Sequence, residues 1–409
     1  MLKLKKLGTK SYFNVNHISF VFIYLVYSSV FVFLNSYFPI LFFDVLNINR
    51  IILAFIQFLA YSVILLRPVF ASITDRYKLN GYQRKYYIIF SGYILALIYM
   101  LMGLTYQNMI IFGVLLLLVF LSGTMLDVST KSLILDISPT DDVKKKAFFF
   151  VLCGDALGRF FPFLLYSTLI SDVYSITSWM TFFIFSYMFL FPLLVFLPFI
   201  NENGRSKSNS QIAHPVCTNL IESENEILYK NLKTVYILLC IFTFFAFSDA
   251  IFTYPFFPWL LGKFGINNFK IFNLFLIFYF LLSIMSSGIA AFLIKRIKSK
   301  KLIFVLMPIV GLAYILYTIV PFTIFVFLYF IGSSFAIIIN FNISILVMNF
   351  KKGNKSLYFH VIATFKNLSL FFFIPLGTML SSFFMTEILI ILGAFLLNLS
   401  IIPLIYIKY

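Results

Sequence analysis

Charge is scarce in this chain. Of its 409 residues only 11% are Asp, Glu, Lys or Arg, while 62% are hydrophobic; soluble globular proteins run at about 25% and about 45–50%. That deficit excludes a soluble enzyme, a disordered chain and a secreted scaffold. Cysteine is scarce too. Cys153, Cys217 and Cys240 stand far apart with no CxxC spacing, so neither a disulfide framework nor a thiolate metal site is indicated. Only three histidines occur. The chain lacks HExxH, GxSxG and a Gly-rich phosphate loop ending in Lys and Ser or Thr, and it has no His and carboxylate cluster at metal-ligand spacing. Catalysis, metal and cofactor are therefore not expected. Acid is rarer than base, 14 residues against 31, giving a formal charge of +17. The cations sit in short connections instead of forming the clustered exposed face of a nucleic-acid binder, so no nucleic-acid partner is expected.

What the chain does have is long apolar runs. Six precede residue 201: His17 to Leu41, Ile51 to Ile73, Tyr86 to Thr105, Met109 to Leu135, Ala147 to Ile170 and Ser178 to Ile200. Six follow residue 232: Thr234 to Leu260, Ile271 to Ile294, Leu302 to Val320, Phe322 to Met348, Leu357 to Phe383 and Ile388 to Ile407. Each suits a hydrocarbon layer of about 30 Å, which takes roughly 20 helical residues to cross. Between the two series, Asn201 to Leu232 is rich in Ser, Asn and charge, the composition of a solvated linker. The expectation is an all-α polytopic membrane protein with twelve transmembrane helices in two six-helix bundles, residues 1–200 and 233–409, joined by a cytoplasmic linker, 201–232. The high aromatic content, 57 Phe and 25 Tyr, reads as core and lipid-facing packing.

Loop charge orients the spans, because short cytoplasmic connections retain Lys and Arg. With the amino terminus inside, only Arg50, Lys263 and Lys270 fall in outer connections, and Arg67, Lys131, Arg159 and Lys366 fall within spans. All other cations then lie on the cytoplasmic side, with both termini. The first apolar run is too long for a signal-peptide core and reads as a retained span.

An ionisable group within a span costs about 2.5–3.5 kcal/mol on insertion scales, so such residues are the functional candidates. They are Arg67, Asp127, Lys131, Asp155, Arg159, Asp249 and Lys366, with Asp136 near a helix end. Asp127 and Lys131 are four residues apart, as are Asp155 and Arg159, so each pair shares a helix face and can neutralise itself. The first pair reads equally as a structural ion pair. Arg159 falls roughly 18 Å of helix rise past Ala147, near the midplane where transporter sites lie. Arg67, near the cytoplasmic end of its span, has snorkelling to the interface as the alternative reading. Asp249 has no cation within one turn; Lys366 is its candidate partner across helices. Asp249, Asp155 and Asp127 are the candidate proton-coupling groups, and Arg159, Asp155, Lys366 and Arg67 the candidate substrate-binding groups. His360 reads as an interface residue. Pro162, Pro255, Pro258 and Pro375 are expected to break or kink their helices at gating elements.

The segment joining the second and third spans runs from Arg67-Pro68 through Ala71, Asp75-Arg76 and Gly81-Tyr82 to Arg84-Lys85 and Tyr87. This resembles the loop signature of the major facilitator superfamily, with Ala71 where Gly is usual and a longer Asp-to-Gly spacing. The spacing is similar to that of the folate-biopterin transporter branch, as is Asp127-Val128 in the fourth span. The resemblance implies a monomeric secondary transporter in which two bundles rock about a central cavity. Asp75, Arg76, Gly81, Arg84 and Lys85 would form its cytoplasmic gate. Its partners would be membrane lipids, a small-molecule substrate, an organic anion such as a folate or pterin, and protons. A sugar, nucleoside or amino-acid permease of the same superfamily stays open as an alternative, as does a non-transporting receptor or lipid-handling protein.

Overall fold

The computed structural model describes residues 2–34, 41–42, 46, 48–137, 141–169, 176–188, 190–202, 299–348, 355–380, 383–399 and 401–402, with short pieces between 259 and 293. The expected spans at 234–260 and 271–294, the linker beyond Glu202, and Asp249, Pro255 and Pro258 lie largely or wholly outside these residues. The described part is nearly all helix. In chain order come α1 (Leu2–Val32), α2 (Arg50–Ser62), a 3-10 stretch (Val63–Leu66), α3 (Arg67–Arg76), α4 (Lys85–Thr105), α5 (Met109–Ile137) and α6 (Asp141–Leu169). Then follow α7 (Ile176–Tyr187), α8 (Leu190–Phe196), α9 (Ser299–Tyr317), α10 (Phe322–Met348), α11 (Lys355–Leu380) and α12 (Thr386–Leu399). Among the described residues five helical stretches are long and apolar enough to cross a membrane: 51–76, 85–105, 109–137, 177–199 and 322–339.

The second apolar run is not one continuous α-helix. Pro68, in the first turn of α3, has no N–H to give back to Ile64. The Arg67 N–H bonds Ile64 O in 3-10 fashion, and the tightened stretch 63–66 divides α2 from α3. By contrast α6 runs through Pro162, and α11 through Pro375. Within the described residues the break falls at Pro68, a position the apolar pattern alone had concealed.

Helix α1 packs along α6, α4 along α5, α9 against both α10 and α12, and α11 along α2, α3 and α5. The α1–α6 approach is the tightest. At Gly154 and Gly158, an added Cβ would overlap the carbonyl oxygens of Val21 and Leu25, so the two backbones touch where side chains would normally stand. The Ser29 hydroxyl lies 2.8 Å from Gly158 O and 2.7 Å from its own helix's Leu25 O. Aromatic rings fill the rest of this half: Phe33 meets Tyr99, Phe182 and Phe183, and Phe120 meets Phe31 and Tyr61, at 4.9–5.9 Å between centroids. A Phe58–Phe371 contact at 4.3 Å joins α2 to α11 across the halves. Later in the chain, Lys263 donates to Tyr317 O at 3.0 Å and to Thr318 O, and its ammonium lies 4.9 Å above the Trp259 ring. Trp259 in turn donates to Glu387 at 2.6 Å, so three separate connections are fastened together.

Candidate functional site

Two polar assemblies stand out, one inside the helix packing around Asp127 and one around Arg84, where α3 and α5 end and α4 begins. The inner assembly centres on Asp127. Its carboxylate faces Arg67 Nη2 at 2.6 Å and Lys131 Nζ at 2.8 Å, and it accepts a hydrogen bond from the Tyr24 hydroxyl at 2.6 Å. Asp127 lies some ten residues from the end of α5, or about 15 Å of helix rise, close to half a hydrocarbon layer. The 3-10 break delivers Arg67 to the same depth, at the first turn of α3. Three spans thus converge on one carboxylate.

Burial is graded across this group. The side chain of Asp127 is 1% exposed, Arg67 8% and Lys131 22%. Tyr27 stands close to Arg67, whose buried Nε has no hydrogen-bond partner among the described residues. The snorkelling reading of Arg67 is corrected here, since the guanidinium turns into the bundle and pairs with Asp127. The expected Asp127–Lys131 pair is present, and Arg67 extends it to a three-member cluster: both cations hold the one acid, leaving a formal charge of +1. Beside it, Asp155 on α6 pairs with Arg159 at 2.9 Å and accepts from Ser28 of α1. The side chains of Asp155 and Arg159 are 26% and 47% exposed, which makes this neutral pair the more open of the two. On the other flank His360 of α11, fully buried, contacts Ser132 of α5 at 3.1 Å, an interface position between the halves. Lys366 falls on α11, but its side chain lies outside the described residues.

The second assembly centres on Arg84, whose side chain is buried. It pairs with Asp75 at the end of α3, reaches Asp136 at the end of α5 at 3.1 Å, and bonds the Thr74 hydroxyl. Between Asp75 and Arg84 the chain reverses through Asn80 and Gly81, both with positive φ (49° and 80°). Leu79 and Tyr82 exchange backbone hydrogen bonds of 2.9 and 3.0 Å around that turn. This is the asparagine–glycine hairpin turn, and Gly81 is there because other residues resist that φ. Glu202 completes the group. One oxygen accepts from the Gln83 N–H at 3.0 Å and the other from the Arg84 and Lys85 N–H groups at 2.8 Å each, placing a carboxylate on the positive end of α4. Lys85 lies over the Tyr82 ring, and Arg76 points into the exposed surroundings. Of the five residues of the loop signature, Asp75 and Arg84 are joined directly, Gly81 makes the turn, and Arg76 takes no part in the described network.

Sequence reasoning missed Tyr24, Tyr27, Ser28 and Glu202. The first three recur at helical spacing on one face of an otherwise apolar span, a periodic polar stripe that would have marked them. Glu202 carried no local signal, because its partners are backbone amides more than a hundred residues away.

No family model matches this sequence, and no curated protein matches it. Solved structures do. The human organic anion transporter MFSD10 (TETRAN) superposes with a TM-score of 0.67 at 12% identity, over 96% of this chain and 99% of its own. The fucose:proton symporter FucP of E. coli gives 0.64 at 13% identity, over 97% of this chain and 98% of its own. Likeness over nearly both whole chains, together with apolar helices of spanning length, makes this an integral multi-pass membrane protein with the major facilitator fold.

Proposed function

We propose that this protein is a secondary transporter that moves a small organic anion across a membrane by alternating access of two helical bundles. The observation that carries this reading is the buried Arg67–Asp127–Lys131 cluster. Two cations on one acid, at mid-depth and beside the open Asp155–Arg159 pair, leave a surplus positive charge where a solute would pass. Unmatched charge at that depth is costly to maintain. A solute that brings the matching charge offsets that cost. Asp155 is assigned as the proton-coupling carboxylate, since Asp127 is fully engaged by two cations and a hydroxyl. Arg159 contacts the solute. The Asp75–Arg84–Asp136 group, with both termini on its side, acts as the cytoplasmic gate. The similarity of the loop signature to the folate-biopterin branch places folates and pterins first among candidate anions.

The test is uptake into vesicles. Purified protein reconstituted with an imposed pH gradient is expected to accumulate an organic anion from a panel of folates, pterins and simple carboxylates. Arg159→Ala should abolish this while leaving the protein inserted, and Asp75→Asn should slow turnover more than it changes apparent affinity. Absence of uptake across anions, sugars, nucleosides and amino acids would favour a receptor or lipid-handling role on the same fold.

A further inference from the structure

Of the three members of the inner cluster, only one can leave without stranding a charge. Asp127 holds three donors, two of them cations, which is one positive charge more than a carboxylate balances. If Lys131 departs, Arg67 and Tyr24 remain, both at 2.6 Å, and the acid stays paired and hydrogen-bonded. If Arg67 departed instead, a guanidinium whose side chain is 8% exposed would lose its charge partner in the interior. Lys131 is also the member that solvent reaches, with its side chain 22% exposed and its ammonium 5.8 Å from the Tyr24 ring centroid. Lysine suits such a transfer: it is a point charge on a flexible stem, whereas arginine is a rigid fork.

We infer that Lys131 is the specificity-determining residue for the solute, exchanging its bond to Asp127 for one to a singly charged anionic group, a carboxylate, on the bound molecule. The inference rests on the transport reading for its meaning and names the chemical class that the site takes. Charge fixes the class. Among the described residues of the cluster, Arg67 and Lys131 against Asp127 leave +1, which one carboxylate cancels. A phosphate dianion would overshoot to a buried −1, and a neutral amide would leave Lys131 on Asp127. The unused Arg67 Nε is a further donor in the same group. A site built to pair a charge rejects the neutral isostere, because its own buried group is then left without compensation.

The experiment reads binding, so that it stands apart from transport. Full-length protein purified in detergent is titrated with butyrate, benzoate and 2-naphthoate, with the matching amides, and with phenyl phosphate, following thermal stabilisation. At least one carboxylate is expected to stabilise the wild-type protein with about tenfold or greater preference over its amide and over phenyl phosphate. Lys131→Gln should erase that preference and Lys131→Arg should keep part of it. A second readout needs no variant: reductive methylation of the wild-type protein, located by peptide mass spectrometry, should modify Lys131 less in the presence of the stabilising carboxylate than in that of its amide. Stabilisation by no carboxylate, equal stabilisation by amides or by phenyl phosphate, a preference retained in Lys131→Gln, or unprotected Lys131 would each overturn the assignment. Binding with these properties but no uptake in vesicles would sink the transport reading and leave the carboxylate site in place.

Discussion

Replacing Gly158 by Ala probes the packing that holds Asp155 and Arg159 against α1. A methyl group there would lie 2.9 Å from both the Cα and the carbonyl carbon of Leu25 and would overlap the carbonyl oxygen. Carbon atoms in contact settle at about 3.5–4.0 Å, so α1 and α6 must part locally by roughly 0.6–1 Å. Relieving an overlap of this kind costs about 1–3 kcal/mol. The separation also stretches the Ser29 contact with Gly158 O, now 2.8 Å, which adds about 1 kcal/mol. Against this, alanine in a helix interior is favoured over glycine by about 1 kcal/mol. The net expectation is a loss of about 1–3 kcal/mol, more for Gly154→Ala combined with Gly158→Ala. Gly113→Ala is the control. There the added methyl meets Ile56 at 3.8 Å, ordinary contact, and stability should hold or rise by up to about 1 kcal/mol. Size-exclusion recovery after heating detergent-purified protein reports all the variants. A Gly158→Ala protein that survives heating as well as Gly113→Ala would refute the backbone-to-backbone approach of α1 and α6.

Removing the acid that two cations share should be severe. Asp127→Asn strips Arg67 and Lys131 of their counter-charge and is expected to cost about 3–5 kcal/mol, seen as loss of folded protein on heating; adding Lys131→Gln should recover part of it, and no recovery would argue against mutual pairing. Glu202→Ala should cost about 1–2 kcal/mol and speed hydrogen exchange at the Gln83, Arg84 and Lys85 amides. Unchanged exchange there would mean that the carboxylate does not cap α4. Gly81→Ala must hold a left-handed φ of 80° at a cost of about 1–2 kcal/mol, whereas Gly81→Asn should be milder; equal stability of the two would contradict the turn geometry.

The helices were legible because hydropathy speaks at the length scale of a span: the runs at Tyr86 to Thr105 and Met109 to Leu135 differ from α4 and α5 by no more than two residues at an end. The intrahelical pairs were legible too, since a spacing of four is a statement about a single helix. What hydropathy cannot carry is which spans meet. Nothing local told Arg67 to pair with Asp127 sooner than reach for the interface; that follows from Pro68 redirecting the span and from Tyr24 and Tyr27 lining the facing helix. Pro68 was the proline that pattern reading passed over. Pro162 is absorbed within a long helix, while Pro68, beside a charged residue in an apolar run, marks the break. The network around Arg84 was half legible. Asp75, Gly81 and Arg84 belong to one local motif, but Asp136 and Glu202 arrive from distant chain positions and became visible only in three dimensions.

The Glu202 contact with residues 83–85 has a companion one residue earlier in the chain, where the Asn201 backbone exchanges two hydrogen bonds of 2.9 Å with the Asn16 side chain. The chain therefore leaves its first half beside the place where it entered. In polymer terms the segment from 16 to 201 is a ring closed by reversible bonds, and the one from 83 to 202 is a smaller ring that overlaps it. Closing rings of that size costs a few kcal/mol of chain entropy that rises only slowly with length, so a handful of hydrogen bonds at one end can keep a long stretch of chain from fraying. The polar residues that follow are thereby tethered at a fixed starting point, and a pull along them is borne first by the Glu202 carboxylate and the amides it holds.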